Sequence, residues 1–272
     1  MIKKYFATTL LILTAISMLA PFLVMIIISL TPEGQISYND CSEVVKHLSL
    51  QNYYHVTNTI PVWKYFLNST IVSVLTTLGQ VFISTLAGYA FARITFKHRD
   101  LLFFIILITM FIPPQVNIIP LFFLMRELHL VNTYPALILP GIFGGFGVFL
   151  MRQHFLSFPK ELEEASLIDG CSKFQMFCKI VCPLATPAIA TLSVFTFISS
   201  WNSFIWPLII TNSESMRTLP PGLAVFKESY REVIVWGDLL ACAVICTIPA
   251  IFVFLLGKKY ILNDMMKGGV KG

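Results

Sequence analysis

Charge is scarce in this sequence. Only 12% of its 272 residues are Asp, Glu, Lys or Arg, about half the share carried by a soluble domain. With 56% hydrophobic residues and a mean hydropathy of +0.78, too few polar groups remain to cover the apolar ones in water. That excludes a soluble domain and points to an integral membrane protein. No G-x-x-x-x-G-K-[ST] stretch occurs, so the chain has no phosphate-cradling loop of that kind. The six cysteines (Cys41, Cys171, Cys178, Cys182, Cys242 and Cys246) never fall in metal-type C-x-x-C spacing. They read as small packing residues, not as a zinc site or a disulfide framework, and no metal site is expected. The net charge of +5 is scattered between apolar runs, which is not the footprint of nucleic-acid binding. No charged residue sits in the middle of an apolar run, although ion-coupled carriers usually need one. His47, His55, His98, His129 and His154 all lie in loops or at run ends, which argues against a redox subunit holding haem inside its spans.

Long apolar runs are what the sequence has instead. A membrane helix needs about 20 apolar residues, and six runs qualify, at 5–30, 66–92, 101–124, 134–151, 184–210 and 238–257. None shows the period-two alternation of an outer-membrane barrel. The fold class is therefore all-α, an integral membrane protein with six transmembrane helices. Lys3 and Lys4 precede the first run. That run is longer than a signal-peptide core of about 7–15 residues and has no A-x-A site at its end, so it reads as a retained helix with Pro21 as the place for a kink. If the N-terminus is inside, thirteen of the nineteen Lys and Arg residues fall on the inner side and six on the outer. That bias places both termini in the cytoplasm. The loops at 31–65 and 211–237 then face outward, while 152–183 and the tail at 258–272 face inward.

The inner segment 152–183 reads RQHFLSFPKELEEASLIDGCSKFQMFCKIVCP. Pro159 suits the start of a helix, and Glu161, Glu163 and Glu164 suit its positively polarised first turns. Gly170 is a natural stop. Ser172 and Gln175 have capping-box spacing for a second helix. Phe174, Phe177, Cys178 and Val181 mark that helix's apolar face, and Pro183 its end. Such a unit either lies along the membrane surface or docks in a partner's groove, and the pattern alone leaves both open.

The segment resembles the cytoplasmic loop of ABC-importer permeases, whose pattern is E-A-A, three residues, Gly, nine residues, then I-x-L-P. Here Glu164-Ala165-Ser166, Gly170 and Ile180-Val181-Cys182-Pro183 keep the spacing, with Ser166 and Cys182 as the departures. The resemblance extends over nearly the whole chain. FLNSTIVSVLTTLGQVFISTLAGYAFAR (66–93), SSWNSFIWPLIIT (199–211), RTLPPGLAVF (217–226), MKGGVKG (266–272) and LSLQNYYHV (48–56) are all similar to the carbohydrate-importer branch, specifically the second permease of a maltose-type pair. It implies a permease subunit in a bacterial inner membrane, working by alternating access with a sister permease, two ATPase subunits and an external solute-binding protein. ATP and Mg would be bound by the ATPase subunits, and this chain would carry no cofactor and no catalytic activity. It further implies an ATPase-coupling set of Glu163, Glu164, Ala165, Ser166, Asp169 and Gly170. A second contact would come from tail residues Gly268, Gly269 and Lys271, the alternative being a frayed glycine-rich end.

Two spans carry polar groups a solute could use. The run 184–210 contains Trp201, Asn202, Ser203, Phe204 and Trp206. An amide at membrane depth needs a partner or a wet cavity, and flat aromatic faces beside it suit a sugar. The alternative is interfacial anchoring plus a helix–helix hydrogen bond. In FIPPQVNIIP (111–120), Pro113 and Pro114 lack N–H groups and leave the carbonyls of Thr109 and Met110 without their helical donors. Gln115 and Asn117 follow, giving either a pathway element or a packed kink. The expected pathway residues are Trp201, Asn202, Phe204, Gln115 and Asn117. Gly141, Gly144, Gly145 and Gly147 predict close helix packing. A glycerol phosphate or other polyol is the alternative cargo. An autonomous channel or secondary carrier is the alternative class, and would move solute without ATP.

Overall fold

The computed structural model describes residues 2–32, 48–159, 161–168, 170–229 and 235–269. Of the residues singled out from sequence, Cys41, His47, Asp169 and Lys271 lie outside that set, as does the side chain of Ala165. In chain order the helices are α1 (Ile2–Ser29), α2 (Gln51–Thr59), α3 (Val62–Arg93), α4 (Arg99–Thr109), α5 (Ile118–Glu127), α6 (Tyr134–Ile142), α7 (Gly145–Leu156), α8 (Glu161–Ile168), α9 (Lys173–Leu184), α10 (Thr186–Trp201), α11 (Ile205–Ile210), α12 (Leu219–Ser229) and α13 (Trp236–Gly269).

Three stretches are single helices long and apolar enough to cross a membrane: Tyr5–Ser29, Val62–Arg93 and Trp236–Ile261. Three further stretches are apolar enough only as pairs of helices bent against each other, each a broken span or a re-entrant loop. α4 and Pro114–Glu127 meet at 92°, α6 and α7 at 41°, and α9 and α10 at 72°. Counting each pair once gives up to six spans. The most apolar stretch of α1 has none of its residues buried, against 39% for α3. Apolar side chains so fully exposed fit lipid, where every backbone polar group is met inside its own helix.

Several details differ from the sequence reading. The double proline does break the third run, but the Thr109 carbonyl is taken up: the Ile112 N–H donates to it at 3.3 Å as the helix tightens into its last turn. The second inner helix passes Pro183 and ends at Leu184, because a proline in the first turn of a new helical segment costs no hydrogen bond. The fifth run breaks at 202–204, where Pro207 in the first turn of α11 leaves the Ser203 carbonyl without a helical donor. The last helix continues past the hydropathy boundary at Gly257 to Gly269. The outer loop 211–237 holds α12.

The chain divides into two compact units. One comprises Met1–Phe66 with Thr218–Pro249, the other Leu67–Arg217 with Ala250–Gly272. In the first, α2 ties two helix ends together. Asn52 Nδ2 donates to the Ser29 and Thr31 carbonyls at 2.9 and 2.8 Å, satisfying groups that the end of α1 leaves without helical partners. Asp238, 1% exposed near the start of α13, meets His55 Nδ1 at 2.6 Å.

The second unit is built on α3. Small hydroxyl residues (Ser73, Thr76, Thr77, Ser84 and Thr85) are buried along it, and Thr77 and Thr85 bond back to the carbonyls of Ser73 and Val81 at 2.6 and 2.7 Å. That keeps those two oxygens satisfied while leaving room for a close neighbour. The expected glycine packing is present. A Cβ at Gly141, Gly144 or Gly147 would run into Thr76, Gln80 or Ser84 of α3, and one at Gly145 would meet Met110. One apolar cluster joins Val72 to Ala136, Leu137 and Ile210. Another joins Tyr89 and Ala92 to Met151, Phe155, Met176, Phe177 and Leu192. Val72 and Tyr89 are seventeen residues apart on one helix, or about 26 Å.

Candidate functional site

Two regions of the second unit carry the features singled out from sequence. The first is the segment α8–α9. Glu161, Glu163 and Glu164 occupy the first turn of α8. Gly170 has φ +80°, its N–H donates to the Leu167 carbonyl at 3.1 Å, and the Cys171 N–H donates to the Ser166 carbonyl at 3.0 Å. This is a Schellman closure, and its left-handed residue favours glycine. The capping box is formed as expected: the Gln175 N–H donates to Ser172 Oγ at 3.3 Å and the Ser172 N–H to Gln175 Oε1 at 3.0 Å.

The buried face of α9 matches the expected one in part, at Phe177 and Val181. Met176, Phe177 and Val181 are buried, whereas Phe174 is 73% exposed and Cys178 is exposed. A π-helical turn over Phe177–Val181 inserts one residue into the period and rotates the face. Tyr89 packs on Phe177 and Phe155, with ring centroids 5.0 and 5.6 Å apart, so α9 shares a core with α3 and α7.

The outer surface of α8 is mixed. Glu164 and Gly170 are exposed, while Ser166 is 4% exposed and bonds the Leu162 carbonyl at 2.6 Å. Leu167 and Ile168, 50% and 86% exposed, form an apolar knuckle beside Glu164. An apolar knuckle with a carboxylate at its edge is what a helix presents to a partner's groove. Sequence reasoning did not single out these two residues, because a short helix with apolar residues on several sides gives no periodic signal. Replacing Ile168 with Asp is expected to weaken a bound partner by about tenfold, with the level of membrane-inserted chain unchanged; co-purification of the partner checks it.

The second region is an open cavity of about 640 Å³ lined by α3, the 114–121 segment, α6 and the α10–α11 break. Four of the expected residues, Gln115, Asn117, Asn202 and Phe204, line it together. Trp201 is placed elsewhere: it is 1% exposed and stacked on Phe197 at 5.8 Å. Trp206 supplies the indole at the wall, its Nε1 donating to the Ala136 carbonyl at 2.9 Å. Thr76, Gln80, Ser199 and Ser200 add polar groups that sit inside apolar runs and gave no separate signal. Among the described residues, no Asp, Glu, Lys or Arg lines the cavity. Uncharged hydrogen-bonding groups beside aromatic faces can hold a neutral, hydroxyl-rich solute and offer nothing to neutralise an ion.

These features define a membrane permease: an open cavity of uncharged polar and apolar side chains, lined by one long helix and by broken helices, with a helical segment packed farther along the same long helix. The family model described as "binding-protein-dependent transport system inner membrane component" matches residues 80–263, and the chain belongs to that family. It is 36% identical over 255 residues to the arabinooligosaccharides transport system permease protein AraQ of Halalkalibacterium halodurans, covering 93% of this chain and 91% of that protein. It is 37% identical to the trehalose/maltose transport system permease protein MalG of Thermococcus litoralis, covering 96% and 94%. It is 32% identical to the sn-glycerol-3-phosphate transport system permease protein UgpE of Shigella flexneri, covering 77% and 75%. The fold matches the crystal structure of a bacterial ABC transporter involved in the import of the acidic polysaccharide alginate, with a TM-score of 0.82, 24% identity, and 95% and 96% of the two chains covered.

Proposed function

We propose that this permease forms, with a sister permease, the pathway by which a neutral sugar or oligosaccharide enters a bacterial cell by alternating access. Partner ATPases supply the energy by binding ATP and Mg, and an external solute-binding protein delivers the cargo. The chain itself binds no cofactor. It lies in the inner membrane with both termini in the cytoplasm, as the inward bias of Lys and Arg supports. α8 docks on an ATPase through Glu164, Leu167 and Ile168, and the Gly170 turn sets its angle. Gly268 and Gly269, at the end of α13, extend toward the ATPase pair together with Lys271.

The cavity is the observation that carries the cargo assignment. Among the described residues its wall has amides, hydroxyls and two aromatic faces, Phe204 and Trp206, and no charge. A phosphorylated polyol would need a cation there, so the wall favours a neutral sugar over glycerol phosphate. Asn202→Ala and Gln115→Ala are each expected to lower uptake by about two- to tenfold, the worth of one hydrogen bond, while ATP hydrolysis persists. Uptake of labelled arabino- and malto-oligosaccharides and glycerol phosphate into vesicles holding the complete transporter tests this. Uptake of glycerol phosphate alone would overturn the neutral-cargo reading, and uptake without ATP would overturn the importer itself.

A further inference from the structure

By sequence position Glu163 groups with the carboxylates that would face an ATPase, but its contacts lead inward. Its Oε1 lies 3.1 Å from Arg93 Nε, and the two side chains are 22% and 7% exposed. Arg93 Nη2 also donates to the Phe158 carbonyl at 2.5 Å, just ahead of α8. One guanidinium thus holds both the approach to α8 and its first turn. The Phe158 contact is a hydrogen bond, whereas the Glu163 contact is an ion pair in which Nε itself has no aligned acceptor; a cation so enclosed needs that carboxylate charge beside it. The neighbouring Glu164 is exposed.

The far side of the segment is fastened to the same place. Beyond the Gly170 turn, Met176 and Phe177 of α9 pack in one cluster with Tyr89 and Ala92. Arg93, Ala92 and Tyr89 all belong to the last turns of α3. Both attachments of the α8–α9 unit therefore land on one helix end. From there α3 runs unbroken to Gln80 and Thr76 in the cavity wall. Gln80 lies thirteen residues from Arg93, about 20 Å along the axis.

We propose that Arg93 is a positioning residue: with Glu163 it latches α8 to the end of α3, so that displacement of α8 moves the cavity wall as one body with it. Glu163 then serves the inside of the permease and Glu164 the partner. This rests on the reading of α8 as the ATPase contact.

The test uses the complete transporter in vesicles supplied with ATP, with cargo uptake, ATP hydrolysis and ATPase retention measured on the same preparation. Arg93→Ala and Glu163→Gln are expected to lower cargo moved per ATP by about tenfold while the ATPase stays bound and hydrolysis continues. The paired exchange R93E with E163R is expected to recover much of what R93E alone loses. Should Arg93→Ala insert poorly, Glu163→Gln gives the same comparison with a nearly isosteric side chain. Unchanged cargo per ATP in both single variants would overturn the latch. So would Glu163→Gln releasing the ATPase while Arg93→Ala retains it, since that marks a docking carboxylate. An exchange no better than R93E alone would also sink it. A wild-type transporter that needs no ATP would instead sink the importer reading, and that control is read before any variant.

Discussion

Replacing Gly170 with proline is expected to abolish uptake while the chain still reaches the membrane. Gly170 sits at φ +80° and its N–H closes α8 onto the Leu167 carbonyl at 3.1 Å. Proline holds φ near about −65° and has no N–H, so it removes the bond and forbids the turn. α8 then cannot stop where it does, and the chain cannot enter the Ser172 capping box at the same angle. Among the described residues nothing lies within 4 Å of where a Cβ would stand, so the defect is one of backbone direction, not of crowding. A graded series follows. Gly170→Asn, which tolerates the left-handed region, is expected to keep much of the activity, and Gly170→Val to lose more through about 1–2 kcal/mol of backbone strain. Uptake and ATPase co-purification, measured across the three variants, check the order Asn above Val above Pro.

Replacing Gly88 with leucine is expected to prevent assembly altogether. A Cβ at Gly88 would stand 2.6 Å from the Met151 Cβ and 2.9 Å from the Arg152 backbone nitrogen. Neither neighbour is a flexible side-chain end that could swing away. Even alanine forces α3 and α7 apart, and overpacking of this sort costs about 1–3 kcal/mol. Leucine adds three carbons more, beside the cluster that holds Tyr89, Met151 and Phe155. Loss of membrane-inserted chain for Gly88→Leu, with a lower unfolding temperature for Gly88→Ala in detergent, is the expected pair of results.

Much of this architecture was legible in the sequence because lipid imposes one simple demand. A run of apolar residues long enough to cross must be helical, and five of the six runs reappear in the structure as single helices or bent pairs, while 184–210 appears as α10 and α11 with a break between them. The Pro113–Pro114 break was legible because a missing N–H is a chemical fact about the residue itself. So were the Gly170 stop and the Ser172–Gln175 box, since both depend on residues a few positions apart. What escaped depends on partners far along the chain. On α9 Phe177 and Val181 were placed correctly but Phe174 and Cys178 were not, because one π turn shifts the register and a strict 3.6-residue period contains no sign of it. The break at 202–204 was missed although Pro207, four residues past Ser203, signals it as Pro113 and Pro114 signal theirs. The extent of α13 was underestimated because hydropathy ends at Lys258 and Lys259, whereas backbone hydrogen bonding does not. In the cavity, Asn202 and Gln115 stood out as amides, while Thr76 and Ser199 read as ordinary small residues of a span. Trp201 was expected at the wall beside Asn202, but packing buries it and leaves Trp206 as the indole that reaches the wall.

The uncharged cavity wall has an electrical consequence. Moving one elementary charge across a membrane potential of about 100 mV exchanges about 2.3 kcal/mol with the field. A wall without ionised groups among its described residues and a neutral solute crossing it exchange none. With the neutral cargo proposed above, the solute and this wall draw nothing from the voltage across the membrane, and uptake should follow the nucleotide supply alone.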